Sequence, residues 1–334
     1  MNTLISICIP TYRRAELLRV AVLSAVAQDY PEIEIIVGDD SPDALSAQVI
    51  EEVRATTVRP VRYEHNVPGL GQNENVNKLF SLACGDRLIL LHDDDVLLPD
   101  AASNLARSWS SDTALVFGRQ QVISPAGGVI ADVTEQLNEY YYRTTADAGA
   151  QKFPLASALR QQIPNNGFLV LTQTACAIGY RPYGEVGVYC DTDFNLRLAS
   201  KLAPRSVVFI DCFTSQYRLS AESISNNVIV HRTEHPRAAV ALYEFVSTLT
   251  ISPQIEEARD IFVARLVDKV VKGYALAGRR RCALHLFFSK SYPLEKRLSS
   301  KGVYHFSLIM FPGLDRFRAY EPNGSLRDDG MSRR

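Results

Sequence analysis

Apolar and polar positions follow two periods along the first 118 residues. LISICIP (4–10), EIEIIVGDD (32–40), VRYEHN (61–66), DRLILLHDDD (86–95) and TALVFG (113–118) read as five short strands. Between them, RAELLRVAVLSAVAQ (14–28), DALSAQVIEEVRA (43–55), NENVNKLFSLAC (73–84) and DAASNLARSW (100–109) carry helical periodicity. Strands separated by helices predict an α/β fold with a mostly parallel sheet covered on both faces. Right-handed crossovers then bring the carboxyl ends of the strands to one edge, where open α/β sheets bind ligands.

Beyond residue 118 the rhythm changes. RQQVISPAGGVIADV (119–133) predicts a hairpin turning at Pro-Ala-Gly-Gly, and residues 134–166 are polar, Tyr-rich and irregular. CDTDFNLRLASKL (190–202) predicts a helix, RSVVFIDCFTSQYRL (205–219) a strand, and 236–290 mostly helix.

Three acidic clusters stand at the expected strand ends or helix starts. Asp39–Asp40 follow EIEIIVG, where a carboxylate can accept from a ribose hydroxyl or a base N–H; an Asx turn or helix cap is the structural alternative. Asp93, Asp94 and Asp95 directly follow an apolar run, where three like charges repel. If the strand continues through them, Asp93 and Asp95 share one face and Asp94 turns away. Oxygen ligands so placed suit Mg²⁺ or Mn²⁺, which would neutralise the repulsion and could bridge a diphosphate; the alternative is an exposed acidic turn. Asp191, preceded by Val188, Tyr189 and Cys190, suits either a general base in a partly apolar setting or a helix cap. Asp193 stands four residues before Arg197, the spacing of an intrahelical ion pair. His231 and His235, four apart, suit either a metal site or a solvated helix face.

Composition narrows the field. The chain has 334 residues, 46% hydrophobic and 22% charged, with a net charge of −1, ample for a sizeable core. That total hides an asymmetry: residues 265–334 hold 15 Lys+Arg against 6 Asp+Glu, while the preceding 264 hold 21 against 31. A basic C-terminal region meeting an anionic partner, or a solvated basic face, accounts for such a split. Six cysteines without a C-x-x-C pair suggest free thiols in a reducing compartment. No run approaches the roughly 20 apolar residues of a membrane span. PGLGQNENVNK (68–78) has G-x-G without the full dinucleotide fingerprint, and no P-loop, G-x-S-x-G or RNA-binding aromatic motif occurs. The acidic half that carries the chemistry argues against nucleic acid.

In order, SICIPTYRRAELLRVAVLSAVAQDYPEIEIIVGDDSPD, NVPGLGQNENVNKLFSLACGDRLILLHDDDVLLPD and GEVGVYCDTDFNLRLA resemble the inverting family 2 glycosyltransferases of the GT-A fold, over about residues 4–225. The resemblance implies a GT-A catalytic domain at 1–225, its donor-binding half at 1–118 and acceptor-side half at 119–225. A helical region at 226–320 and a disordered tail at 321–334 would follow. It implies transfer of a sugar from a nucleotide-diphosphate sugar to an acceptor hydroxyl in surface polysaccharide or glycoconjugate synthesis. Pro10, Thr11, Tyr12 and Arg14 would surround the nucleoside, Asp39 or Asp40 would bind base or ribose, and Asn75 would contact the donor. Asp93 and Asp95 would form the Asp-x-Asp motif around Mn²⁺ or Mg²⁺, with Asp95 the direct metal ligand, Asp94 sharing that duty, and Asp93 and Asp94 contacting the donor. Asp191 would be the catalytic base. Cys190 replaces the Glu that often precedes the base, Ser220 stands where a His is common, and Glu74 stands where a basic residue is common. The acceptor would be a saccharide or a lipid-linked one. The basic, apolar segment 279–312 would sit peripherally on the cytoplasmic face of the membrane, or pack in a homo-oligomer. Two other readings use the same acids: a metal-dependent nucleotidyltransferase, and a non-catalytic nucleotide-sugar-binding protein.

Overall fold

A computed structural model describes residues 3–219 and 235–311. Its first part alternates as the periodicity predicts: β1 (Ile5–Thr11), α1 (Ala15–Val26), β2 (Ile33–Asp39), α2 (Leu45–Arg54), β3 (Val61–His65), α3 (Gln72–Leu82) and β4 (Arg87–Leu90). A two-residue strand, β5 (Val96–Leu97), α4 (Ala101–Arg107) and the long β6 (Leu115–Ile123) follow. Next come α5 (Ala131–Tyr140), β7 (Gly149–Ala150), α6 (Pro154–Leu159), β8 (Leu169–Leu171), α7 (Thr172–Ile178), α8 (Tyr183–Val186), α9 (Cys190–Ala199) and β9 (Val207–Arg218). The C-terminal helices are α10 (His235–Thr248), α11 (Glu256–Leu276), α12 (Arg280–Phe287), α13 (Leu294–Leu298) and α14 (Ser300–Met310).

Among the described residues, nine strands form one sheet in the order β3-β2-β1-β4-β8-β6-β9-β5, with β7 on β9. β3, β2, β1 and β4 run parallel, as do β6 and β9. β8 is antiparallel to both β4 and β6, which makes the sheet mixed. Because β8 reverses direction twice over, β4, β6 and β9 still point the same way. The carboxyl ends of β1, β2, β4 and β9 therefore converge on one edge.

Strand alternation assigns the two cores. Ile5, Ile7, Ile9, Ile35, Val37 and Ile89 face α1, α2 and α4, whereas Cys8, Ile36, Leu88 and Leu90 face α3 and the later helices. The stripe Leu18, Ala21, Val22 and Ala25 anchors α1 to the first of these. Phe262, Leu266 and Val270 of α11 belong to the same cluster as Phe194 and Phe117, so the C-terminal helices share a core with the sheet. All six cysteines are free thiols, and burial pushes the Cys8 thiol far above its usual range, as suits a small core hydrophobe. The boundary at 226 and the tail at 321–334 lie outside the described residues.

Three local expectations change. β4 ends at Leu90 and a turn occupies 93–94, so the fourth strand does not run through the aspartates. The hairpin at 119–133 shrinks to a turn closed by one bridge, Ile123 to Val129, because α5 starts at Ala131. The stretch 134–166 is more regular than its polarity suggests, containing most of α5 and all of β7 and α6. Thr134 and Asn138 explain α5: they face inward and bond the β6 backbone at Val122 and Gln120, so polar residues form its buried face.

Gly38 sits where β2 meets α3. A Cβ there would come within 2.2 Å of Asn75 Oδ1, and that amide is fixed by donating to Gly38 O and accepting from Asn66. Gly38→Ala is expected to destabilise the fold by about 1–3 kcal/mol, read as a lowered midpoint in urea denaturation.

Candidate active site

The turn after β4 decides where the three aspartates go. Leu91 N still donates to Cys8 O, but Asp95 N then donates to His92 O, and the chain folds back into β5 against β9. Asp93 reaches toward β1, accepting from Thr11 Oγ1 at 2.8 Å and Arg14 Nη1 at 3.2 Å. Asp94 accepts from the same Arg14 Nη1 at 2.8 Å. Asp95 points the other way, accepting from Asn166 Nδ2 at 2.7 Å and from Arg218 N at 2.9 Å. The extended geometry that would align Asp93 with Asp95 is thus replaced by a turn. Asp94 and Asp95 instead group with His92, offering three ligand atoms within 4.8 Å of one another.

The electrostatics of this turn are uncomfortable. Burial, and then the Asp94 charge, push the Asp95 carboxyl up to about 7 despite His92 and two hydrogen bonds. The same two causes raise Asp93. His92 would be lowered by burial, but Asp191, followed by Asp95, Asp94 and Asp93, raises it overall. A hard divalent cation fits these donors: two carboxylates and an imidazole, with the buried Asn166 Oδ1 beside them lacking a hydrogen-bond partner.

Asp191 lies on the first turn of α9 and is 8% exposed. Tyr180 Oη donates to its Oδ1 at 2.8 Å, and His92 Nε2 stands 3.8 Å from the same oxygen. Burial raises its carboxyl, while His92 and the Tyr180 bond hold it down. Tyr180 is fixed by stacking on Phe194 at 4.8 Å between ring centroids. Asp193, one turn face away, is fully buried between Arg181 and Arg197, the latter at 2.7 Å. It is structural, as its spacing from Arg197 suggests. Cys190 is buried, accepts from Gln72 Nε2 at 3.6 Å, and its thiol is pushed well above the ordinary range by burial.

The other sequence-derived positions surround the same edge. Asp39 is fully buried and accepts from Ser41 N and Tyr63 Oη. Asp40 accepts from Asn66 Nδ2, Leu70 N and Gly71 N, so its carboxylate shapes the loop before α3. Asn75 joins β2 to α3 through Gly38 O and Asn66, with both ends of its amide engaged. Pro10 and Thr11 end β1 in register with Gly38 and Asp39. Tyr12 is 54% exposed beneath the Arg13 guanidinium, and Arg13 also lines a cleft of about 250 Å³ with Asp43 and Ser46. Ser46 Oγ is buried there without a hydrogen-bond partner. His235 begins α10, buried edge-on against Tyr189, while Ser220 and His231 lie outside the described residues.

Sequence reasoning missed four residues. His92 was hidden by its three acidic successors. Asn166 precedes Gly167, whose φ of +75° bends the chain toward the turn and whose N–H donates to Leu90 O. Arg218 holds Asp94 O through Nε and the carbonyls of Ser124 and Pro125 through Nη1. Tyr180 had no local signal, because it meets Asp191 only after α7 and α8 turn the chain.

A mixed sheet with helices on both faces and convergent carboxylates at its carboxyl edge defines the GT-A class of nucleotide-sugar-binding fold. The model of Glycosyl transferase family 2 matches residues 6–162, so this segment of the chain is similar to that family. It is similar to the GalNAc(5)-diNAcBac-PP-undecaprenol beta-1,3-glucosyltransferase of Campylobacter jejuni, at 32% identity over 34% of this chain and 37% of the relative. The matched segments span about a third of the curated relatives' own lengths. Among solved structures, S. aureus TarS 1–349 in complex with UDP is similar with TM-score 0.61 and 13% identity, over 97% of this chain and 94% of that one. The mannosyltransferase PcManGT from Pyrobaculum calidifontis, solved with GDP-Man and Mn²⁺, has TM-score 0.58 and 12% identity, over 93% and 88%. At such identities the structures share the fold.

The two neighbouring aspartates should separate cleanly. Asp193→Ala leaves two guanidiniums facing a void and is expected to cost about 3–5 kcal/mol of stability, measured by denaturant titration. For Asp95 the folded carboxyl, near 7, lies above the unfolded value of about 4. Its contribution to stability is therefore full below pH 4 and is lost as pH rises through 7. Metal-free protein should lose stability between about pH 4 and about pH 7, the window set by that shift, and Asp95→Asn should flatten the loss.

Proposed function

We propose that the protein is an inverting glycosyltransferase that moves a sugar from a nucleotide-diphosphate sugar to an acceptor hydroxyl. The observation that carries this reading is the position of Asp191. It is a buried carboxylate beside the aspartate turn, oriented by Tyr180, and 3.8 Å from His92 at the sheet's ligand-binding edge. Asp191 takes the proton of the acceptor hydroxyl as that oxygen attacks the anomeric carbon from the face opposite the diphosphate. Asp193, two residues on, is held by two arginines and is not available as a nucleophile beside the base, which favours direct displacement over a covalent intermediate.

The donor side rests on β1, β2 and the turn. Tyr12, with the cleft lined by Arg13, Asp43 and Ser46, offers an aromatic face and polar groups for the base. Asp39 and Asp40 support that loop geometry, and Asn75 holds α3 to β2. Asp94 and Asp95, with His92, would hold Mn²⁺ or Mg²⁺, and Asp93 is kept on Thr11 and Arg14. When bound, the ion supplies positive charge for the departing diphosphate. The structural neighbour solved with GDP-Man and Mn²⁺ supports that assignment by analogy. The Campylobacter relative, whose name carries a saccharide on PP-undecaprenol, supports a lipid-linked acceptor in surface glycan synthesis. Among the described residues no helix is long and apolar enough to cross a membrane, and any membrane contact is peripheral in this reading.

Asp191→Asn is expected to lower transfer about 10²–10⁴-fold, with donor affinity, measured by calorimetry in the presence of Mn²⁺, changed little. Turnover near that of the unaltered enzyme would remove Asp191 from the role. Release of nucleotide diphosphate from one donor sugar, lost on chelation and restored by Mn²⁺, would distinguish a transferase from a binding protein.

A further inference from the structure

We propose that the face built by α12, α13 and α14 docks on an anionic lipid bilayer. The exposed phenylalanines among the described residues are Phe288, Phe306 and Phe311, and all three fall in this short C-terminal stretch. Phe288 and Phe306 lie 6.3 Å apart between ring centroids, and both rest on the buried Phe287. Leu294 and Leu298, four apart on α13, are 62% and 73% exposed, and Val303 shares the Phe306 side of α14. Single exposed apolar residues are ordinary, but a set of exposed aromatic and aliphatic side chains gathered on successive short helices marks a contact surface.

Charge selects the occupant. Residues 279–311 carry seven Lys+Arg and one acid, Glu295. Arg280 and Arg297 donate to main-chain carbonyls, at Ile309 for the first and at Phe287 and Tyr292 for the second. Carbonyls leave their positive charge uncancelled. Arg279 is paired with Glu244, Lys296 and Lys301 share the single Asp268, Lys290 is exposed with a loose 3.8 Å pair to Asp260, and Arg281 is exposed. A second copy meeting this face head-on would set like charges together. Residues 312–334, with five basic and four acidic residues, offer little opposite charge. An anionic bilayer answers both properties: its headgroups attract each basic residue by about 1 kcal/mol, and its interface accepts aromatic rings. The inference rests on the proposed function only in saying where a lipid-linked acceptor is met.

Flotation of the full chain with vesicles tests it. The protein is expected to float with mixed phosphatidylcholine–phosphatidylglycerol vesicles at low salt, to be released at high salt, and to stay behind with pure phosphatidylcholine. Phe288→Ser with Leu298→Ser, and separately Arg281→Glu with Lys290→Glu, should each weaken binding about tenfold or more. The charge pair is fully surface-located, so it keeps the test valid if the apolar pair misfolds by circular dichroism. No flotation of folded protein at low salt would overturn the proposal, as would equal binding to neutral vesicles. A dimer abolished by the same substitutions would overturn it in favour of a second copy. Binding is read without turnover, so a donor-transfer failure that leaves flotation intact touches the proposed function alone.

Discussion

Repulsion among Asp93, Asp94 and Asp95 organises the carboxyl edge of the sheet. The turn after β4 separates the charges by sending Asp93 to Thr11 and Arg14 and Asp95 to Asn166 and the Arg218 backbone. Each partner comes from a different part of the chain: β1 and its loop, the segment before β8, and the end of β9. Removing three carboxylates from water is costly, and hydrogen bonds to ionised groups return only about 1.5–3 kcal/mol each. The raised Asp93 and Asp95 carboxyls show that the balance is incomplete in the protein alone.

The same edge brings Asp191 close to the aspartate turn. His92 faces Asp191 through Nε2, while Asn166 Nδ2 lies 3.3 Å from its Nδ1 and bonds Asp95. One carboxamide therefore touches both the turn and the ring that approaches Asp191. Charge placed at the turn is felt at Asp191 across a short, water-poor path, where interactions are stronger than at the surface.

Much of this was legible in the letters because local periods set local structure. The first four strands and three helices follow directly from spacing, and Asp193 announced its own ion pair by standing four residues before Arg197. What was not legible depended on the chain leaving a period. RLILLHDDD reads as one continuing strand, yet β5 must pair antiparallel with β9, and that long-range demand forces a turn at 93–94. Tyr180, Asn166 and Arg218 lie 11, 71 and 123 residues from the acids they contact, and no local pattern encodes such meetings. Residues 134–166 looked irregular because α5 buries Thr134 and Asn138, polar groups whose partners are backbone atoms of β6.

β8 is only three residues long, Leu169–Leu171, yet it is hydrogen-bonded to β4 on one side and β6 on the other. It forms the seam between a parallel array that ends in the aspartate turn and a second array that ends at Arg218. A seam so narrow lets loops on the far side lengthen, shorten or change character while the register of the near side is preserved. Under the proposed function, the architecture separates two design problems, recognition of what is given and recognition of what receives it, and permits the second to diversify at little expense to the first.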